Sequence, residues 1–162
     1  MKGSQKVIDL LNRQLTMELS SMDQYLAHSK LYEDWGVGRL HKQLEHEYEE
    51  ELEHAQLLIE RILFLEGTPD TSSRLPIQIG ADVQSVLQND LDAELAVCAS
   101  LREIITVCEQ EQDYVTRDIL RQLLNDTEMD HIYWLTKALS LIEKVGIHNY
   151  IQSQMKADVA GV

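Results

Sequence analysis

The stretch Glu-Leu-Glu-His, residues 51–54, decides how the rest of the chain is interpreted. It lies in a long run with helical periodicity, and Glu51 and His54 are three residues apart. On an α-helix this spacing puts both side chains on the same face, about one turn apart. A carboxylate and an imidazole placed in this way are a pair of potential metal ligands. A second Glu-x-x-His, formed by Glu128 and His131, lies far downstream in another helical run.

Two further helical runs each place one glutamate on an otherwise apolar face, Glu18 and Glu94. A carboxylate that faces a protein core is strongly destabilising unless it is neutralised, paired or bound to a cation. The Glu-x-x-His match alone is weak evidence, since the chain is rich in glutamate. The position of all six residues on apolar stripes is the stronger signal. One glutamate from each of two helices and a Glu-x-x-His from each of two others form the ligand set described for di-metal helical bundles.

The composition favours an all-α fold in a single domain, residues 1–162. Two prolines and seven glycines are few helix breakers for 162 residues, of which 44% are hydrophobic. We predict a four-helix bundle with a short fifth helix at the C-terminus. The predicted helices span approximately 4–34, 39–65, 83–111, 114–145 and 147–155.

Two irregular segments refine this prediction. Residues 66–82 contain both prolines and no helical periodicity, and their length suits a crossover that lets the third helix run parallel to the second. In the fourth helix the apolar stripe changes phase at residues 125–127. A one-residue insertion in the helical register produces such a change, so we predict a π-type bulge at this point.

Charge and cysteine content limit the partners and the compartment. The chain has 28 acidic residues against 14 Lys and Arg, a formal net charge of -14. This balance argues against nucleic acid and favours attraction of cations, although simple solubility explains it equally well. Cys98 and Cys108 have no metal-type spacing and are interpreted as buried apolar residues in a reducing compartment. With no apolar targeting segment or membrane-length apolar run, the expected location is cytoplasmic, away from membranes.

The donor types also indicate which metal would bind. Carboxylate oxygens with imidazole nitrogens, and no thiolate, suit iron or manganese better than zinc. Four glutamates neutralise two divalent ions, and bridging carboxylates would hold the two ions close together. We predict two bridging ligands and two terminal pairs: Glu51 and Glu128 as bridges, Glu18 with His54 on one metal, and Glu94 with His131 on the other.

The second helix has another apolar row that one bundle core cannot absorb. This row predicts a subunit interface, and its members are Tyr48, Leu52, Ala55 and Ile59. The acidic remainder of the helix is interpreted as a solvated face that consists of Glu45, Glu47, Glu49, Glu50 and Glu53.

Three more residues are candidates with an open alternative. Tyr25 lies two turns along the first apolar stripe from Glu18 and is either an outer partner of the metal ligands or a core tyrosine. His46 and Glu50 are four residues apart. They form either a further cation site or an exposed pair without a role.

The chain resembles the bacterioferritin family over nearly its whole length. The resemblance rests on the opening Met-Lys-Gly, on Ile-Leu-Phe-Leu-Glu-Gly at 62–67, on Asp-Tyr-Val-Thr-Arg-Asp at 113–118 and on the segment Gly-Ile-His-Asn-Tyr. It implies a ferritin-like bundle that assembles into a hollow cage of 24 subunits. It further implies a di-iron centre that oxidises Fe(II), storage of Fe(III) mineral, and an auxiliary iron site at His46 and Glu50 on the inner surface.

Two positions depart from the family pattern. Leu52 stands where the family has the methionine that binds haem, and one extra residue precedes Glu128. Haem b is therefore not expected in a cage made of this chain alone. It is expected only where a second bacterioferritin subunit contributes the methionine.

Two other functions remain open on the sequence. A di-iron bundle that reduces peroxide would usually carry a rubredoxin-like cysteine domain, for which two cysteines are too few. A catalytically idle structural subunit of a mixed cage would not need an intact ligand set. Both alternatives fit the sequence less well than an iron-storing ferroxidase.

Overall fold

The computed structural model describes residues 1–155, and residues 156–162 of the predicted domain lie outside the described part. The all-α prediction is confirmed, since residues 1–155 contain no strand. The helices are α1 (Gln5–Asp34), α2 (Gly38–Phe64), α3 (Val83–Gln110), α4 (Tyr114–Asp126), a π-helical segment (Thr127–Ile132), α5 (Tyr133–Val145) and α6 (Ile147–Gln154). Together α4, the π segment and α5 form one long fourth helix. No described helix is both long and apolar enough to cross a membrane.

Side-chain contacts between the helices establish their directions. The start of α1 pairs with the end of α3 through Arg13 and Glu103, while His28 near the end of α1 bonds Asp90 near the start of α3. The two helices are therefore antiparallel. Helix α1 is also antiparallel to α2, because its residue Ser29 contacts His41 at the start of α2. Helices α2 and α3 consequently run parallel, as the long crossover predicts.

Three backbone N–H groups fix the crossover to α1. The N–H of Leu75 donates to Ser20, that of Gln78 to Gln24 and that of Gly80 to His28. The three acceptor side chains are spaced one helical turn apart on α1. Because the His28 Nε2 accepts the Gly80 N–H at 3.0 Å, its Nδ1 carries the proton and donates to Asp90 at 2.7 Å. His28 is completely buried. A Cβ at residue 80 would lie 2.5 Å from the Val86 nitrogen, so glycine is required there.

The predicted irregularity in the fourth helix is confirmed. The π-helical segment spans Thr127–Ile132, immediately after the phase change in the apolar stripe. A π turn contains more residues than an α turn, so it rotates the side chains that follow it. The rotation lets Leu120 before the segment and Leu135 after it both face the core.

Two apolar clusters fill the bundle at different levels. The first joins the start of α1 to the ends of α2 and α3, and includes Leu11, Ile62 and Leu101. The second lies toward the other end and includes Tyr32 and Leu87. Between these clusters the core is polar, and this polar layer is the candidate site.

Candidate metal centre

The polar layer consists of six buried side chains drawn from all four long helices. They are Glu18 from α1, Glu47, Glu51 and His54 from α2, Glu94 from α3 and His131 from the π segment. Each is at most 3% exposed. Four carboxylates and two imidazoles in one dry layer are stable only if positive charge is present among them.

Glu51 occupies the middle of the layer and faces both histidines. Its Oε2 lies 3.5 Å from His54 Nδ1, and its Oε1 lies 3.1 Å from His131 Nδ1. On the His54 side, Glu18 Oε2 is 3.8 Å from the same Nδ1 atom. On the His131 side, Glu94 Oε1 is 3.0 Å from Nδ1. One carboxylate thus belongs to two ligand groups, which is the geometry expected of a bridging ligand.

These contacts define two groups that fit a metal ion. Glu18, Glu51 and His54 form the first, and Glu51, Glu94 and His131 form the second; within each, the ligand atoms lie within 4.8 Å of one another. Several of the atoms make no hydrogen bond in the described protein, namely Glu18 Oε2, both Glu51 oxygens, Glu94 Oε2 and His54 Nδ1. Buried lone pairs without a hydrogen-bond donor are costly unless a cation coordinates them. The residues present therefore fit two metal ions.

The close packing of carboxylates and imidazoles shifts the pKa values of several groups in the layer. Burial lowers the pKa of His54, but Glu18 and Glu51 outweigh burial and raise that pKa well above its usual range. His131 behaves in the same way beside Glu94 and its other carboxylate neighbours. Burial, followed by the negative charges of Glu18 and Glu94, raises the pKa of Glu51.

Hydrogen bonds from neighbouring side chains orient two carboxylates of the layer. The Tyr25 hydroxyl donates to Glu94 Oε1, and the ring of Tyr25 also belongs to the second apolar cluster. Gln14 donates to Glu18 Oε1 at 2.7 Å. In metal sites, hydrogen bonds of this kind fix the rotamer of a ligand and tune its basicity.

Glu128 is the one predicted ligand that the structure does not bring into the layer. Its Oε1 accepts a hydrogen bond from Arg102 at 2.6 Å, and its side chain is 39% exposed. Glu128 lies within the π segment, where residues three apart no longer share a face as they do on an α-helix. Asp126, which the sequence indicated only as part of the phase change, instead contacts His54 Nε2 at 3.2 Å.

The interpretation of Glu47 as a solvated residue was wrong. Glu47 is completely buried, and its Oε2 lies 2.9 Å from His131 Nε2. Glu50, also assigned to the solvated face, is half-buried and lies 2.7 Å from the same nitrogen. The signal was present in the sequence, because Glu47 precedes Glu51 by four residues and so shares its helix face. The two ring nitrogens of His131 thus face different carboxylates. Nε2 faces Glu47 and Glu50, whereas Nδ1 faces Glu51 and Glu94.

His46 continues this line of ligands toward the surface. Its Nε2 lies 3.4 Å from Glu50 Oε1 and 3.7 Å from Asp130 Oδ2. The three side chains form a possible cation group that is exposed or half-buried. His46 and Glu50 are therefore close together, although nothing in the geometry requires a metal there.

The second apolar row of α2 is present, with one correction. Leu52 is 39% exposed, and Tyr48 and Ile59 are half-buried. Ala55, in contrast, is 2% exposed and belongs to the first apolar cluster within the subunit. The remaining row is narrower than predicted, because Ile59 packs in part against the first cluster and Tyr48 in part against the second, whereas Leu52 is exposed.

Comparison with known proteins gives consistent matches. The family model described as a ferritin-like domain matches residues 8–145. The chain is 54% identical to a bacterial ferritin of Synechocystis sp. over 96% of this chain and 99% of that protein. It is 50% identical to a bacterial ferritin of Pseudomonas aeruginosa over 96% of this chain and 100% of that one. It is also 41% identical to a bacterioferritin of Brucella melitensis over 94% of each.

The part of the chain that the family model matches, residues 8–145, contains the polar layer. The matches agree with the four long helices, the long crossover and the carboxylate and histidine groups at mid-bundle. The chain therefore belongs to the bacterioferritins, within the ferritin-like family.

Proposed function

We propose that this protein is an iron-storage subunit that oxidises Fe(II) with O₂ or peroxide at the mid-bundle layer. One observation carries the proposal: Glu51 lies between His54 and His131 with both of its buried oxygens lacking a hydrogen bond. Glu18 with His54 and Glu94 with His131 would complete the two metal sites. Glu128 is proposed as a further ligand once metal is present.

A pair of iron ions held in this way supplies two electrons at one place, which is what reduction of O₂ to the peroxide level requires. The chain's own residues bind and orient the ions. Tyr25 and Gln14 hold the carboxylates of Glu94 and Glu18 in position through their hydrogen bonds. The apolar clusters above and below the layer limit the access of water to it.

The half-buried line from the layer to the surface is proposed as a route for iron. Glu47 and Glu50 face His131 Nε2, and Glu50 also faces His46 and Asp130. Carboxylates and imidazoles at such spacings can pass a divalent cation from one group to the next. His46 and Glu50 would then form the auxiliary iron site at the outer end of this route.

Size-exclusion chromatography followed by addition of Fe(II) in air tests the function directly. We expect a large particle and a rising ferric absorbance, with many iron ions retained per subunit after desalting. An idle structural subunit would assemble into the particle without accelerating the oxidation. A small particle that does not oxidise Fe(II) would contradict the proposal.

The assembly is proposed to be a hollow cage of 24 subunits, either of this chain alone or mixed with a second bacterioferritin subunit. The row of Tyr48, Leu52 and Ile59 is proposed to lie at a two-fold contact, because a self-complementary apolar row is readily buried against its own copy.

Replacing Leu52 by glutamate is expected to weaken this contact. Two copies of the new carboxylate would meet near the two-fold axis, where burial and like charge both disfavour them. Analytical ultracentrifugation should show species smaller than the wild-type cage, including monomers. Gln122→Glu, which adds the same charge at an exposed position of α4, serves as the control. Unchanged assembly of Leu52→Glu would mean that the row contacts something other than its own copy.

A further inference from the structure

Glu128 has a specific set of partners outside the metal layer. Its Oε1 accepts from Arg102 Nη2 at 2.6 Å, and the thiol of Cys98 lies 3.6 Å from the same oxygen. Arg102 comes from α3 and is 64% exposed, so this ion pair is partly hydrated. The carboxylate is thus held at the edge of the bundle by a neighbouring helix.

The π-helical backbone around Glu128 sets the direction of its side chain. The residue lies in the π-helical segment, Thr127–Ile132, together with His131. In an α-helix two residues three apart share a face, whereas the wider π turn rotates Glu128 away from the direction of His131. The same segment therefore presents His131 to the layer and Glu128 to Arg102.

The charge of the layer disfavours the entry of a further carboxylate. Four buried carboxylates, Glu18, Glu47, Glu51 and Glu94, already face two imidazoles. A fifth carboxylate would add like-charge repulsion in a dry environment. Arg102 offers that carboxylate a cation in a hydrated place. Two divalent ions in the layer would instead favour entry of the Glu128 carboxylate, because the layer would then carry too little negative charge.

We propose that Arg102 is a positioning residue that holds Glu128 outside the layer in the metal-free protein and competes with bound cations for its carboxylate. This inference rests on the proposed metal centre. Binding of the metal ions must therefore break the Arg102–Glu128 ion pair. Arg102 sets the metal affinity without contacting the metal.

A titration of the assembled protein with Co(II), which does not change oxidation state on binding, tests this without reference to activity. The visible absorbance of protein-bound Co(II) reports affinity and stoichiometry. Arg102→Gln is expected to bind Co(II) roughly 2- to 5-fold more tightly than the wild type, which is the range that a partly exposed ion pair supports. The matched control is Arg13→Gln, since Arg13 of α1 forms a comparable exposed ion pair with Glu103 of α3 at 2.9 Å, and neither residue belongs to the layer. Its affinity should equal that of the wild type.

A double-mutant cycle separates positioning from a general change of structure or charge. In a Glu128→Gln background the carboxylate is absent, so Arg102→Gln should no longer change the Co(II) affinity. An equal gain in both backgrounds would indicate a simple charge effect and would overturn the inference. So would an unchanged affinity in Arg102→Gln. If the wild type bound no Co(II) at all, the metal centre itself would be refuted and the inference with it.

Discussion

Replacing Glu51 by alanine is expected to slow Fe(II) oxidation by about 100-fold or more. Loss of a residue that only supports a metal ligand typically weakens metal binding or activity by about 10- to 100-fold, and Glu51 faces both metal groups directly. Its removal leaves both groups of ligands incomplete, so neither ion is held and the two-electron reaction is lost. Stopped-flow measurement of the ferric absorbance after mixing with Fe(II) in air gives the rate.

The helix and the cage should survive this change. Alanine has a higher helix propensity than glutamate, and the substitution removes a buried carboxylate from a layer that already contains three others. Glu53→Ala is the control, because Glu53 is an exposed glutamate of the same helix. We expect wild-type oxidation from Glu53→Ala and an assembled but slow Glu51→Ala. A Glu51→Ala protein that oxidised Fe(II) at the wild-type rate would show that the reaction occurs elsewhere.

Replacing Leu52 by methionine is expected to give the homomeric protein a haem site that it otherwise lacks. The family resemblance implies that haem is held on the two-fold axis by one methionine thioether from each subunit. Leucine has no lone pair for iron, so both axial bonds are absent from a cage of this chain alone. The single substitution should place two new thioethers at the two-fold axis, one from each subunit.

The measurement is the Soret absorbance that remains after incubation with haem and desalting. The wild type should retain almost none, and Leu52→Met should retain up to one haem for each pair of subunits. Leu63→Met is the control, since it places a methionine at another exposed leucine of α2. A bis-thioether haem spectrum in the unmodified homomer would contradict the expectation, and so would its absence from Leu52→Met.

Much of the fold could be predicted because it depends on local periodicity. The helix boundaries agree with the apolar stripes to within one or two residues, and the proline-containing segment indicated the crossover. The π segment was also predictable, because an insertion leaves a visible change of phase at residues 125–127. The inward positions of Glu18, Glu51, His54 and Glu94 follow from the same stripes.

The apolar stripes and the crossover length thus predicted the bundle, the direction of its helices and the core of the polar layer. Tertiary structure decided the rest, since it depends on which helix packs beside which. The spacing of Glu47 from Glu51 gives its helix face, but its partner, His131 of the fourth helix at 2.9 Å, is set by the packing of the helices. Glu128 matches a ligand motif, yet Arg102 from α3 pairs with its carboxylate at the bundle edge. Helical periodicity gives the direction of a side chain around its own helix, whereas its partner and charge state are set by residues that are distant in the chain.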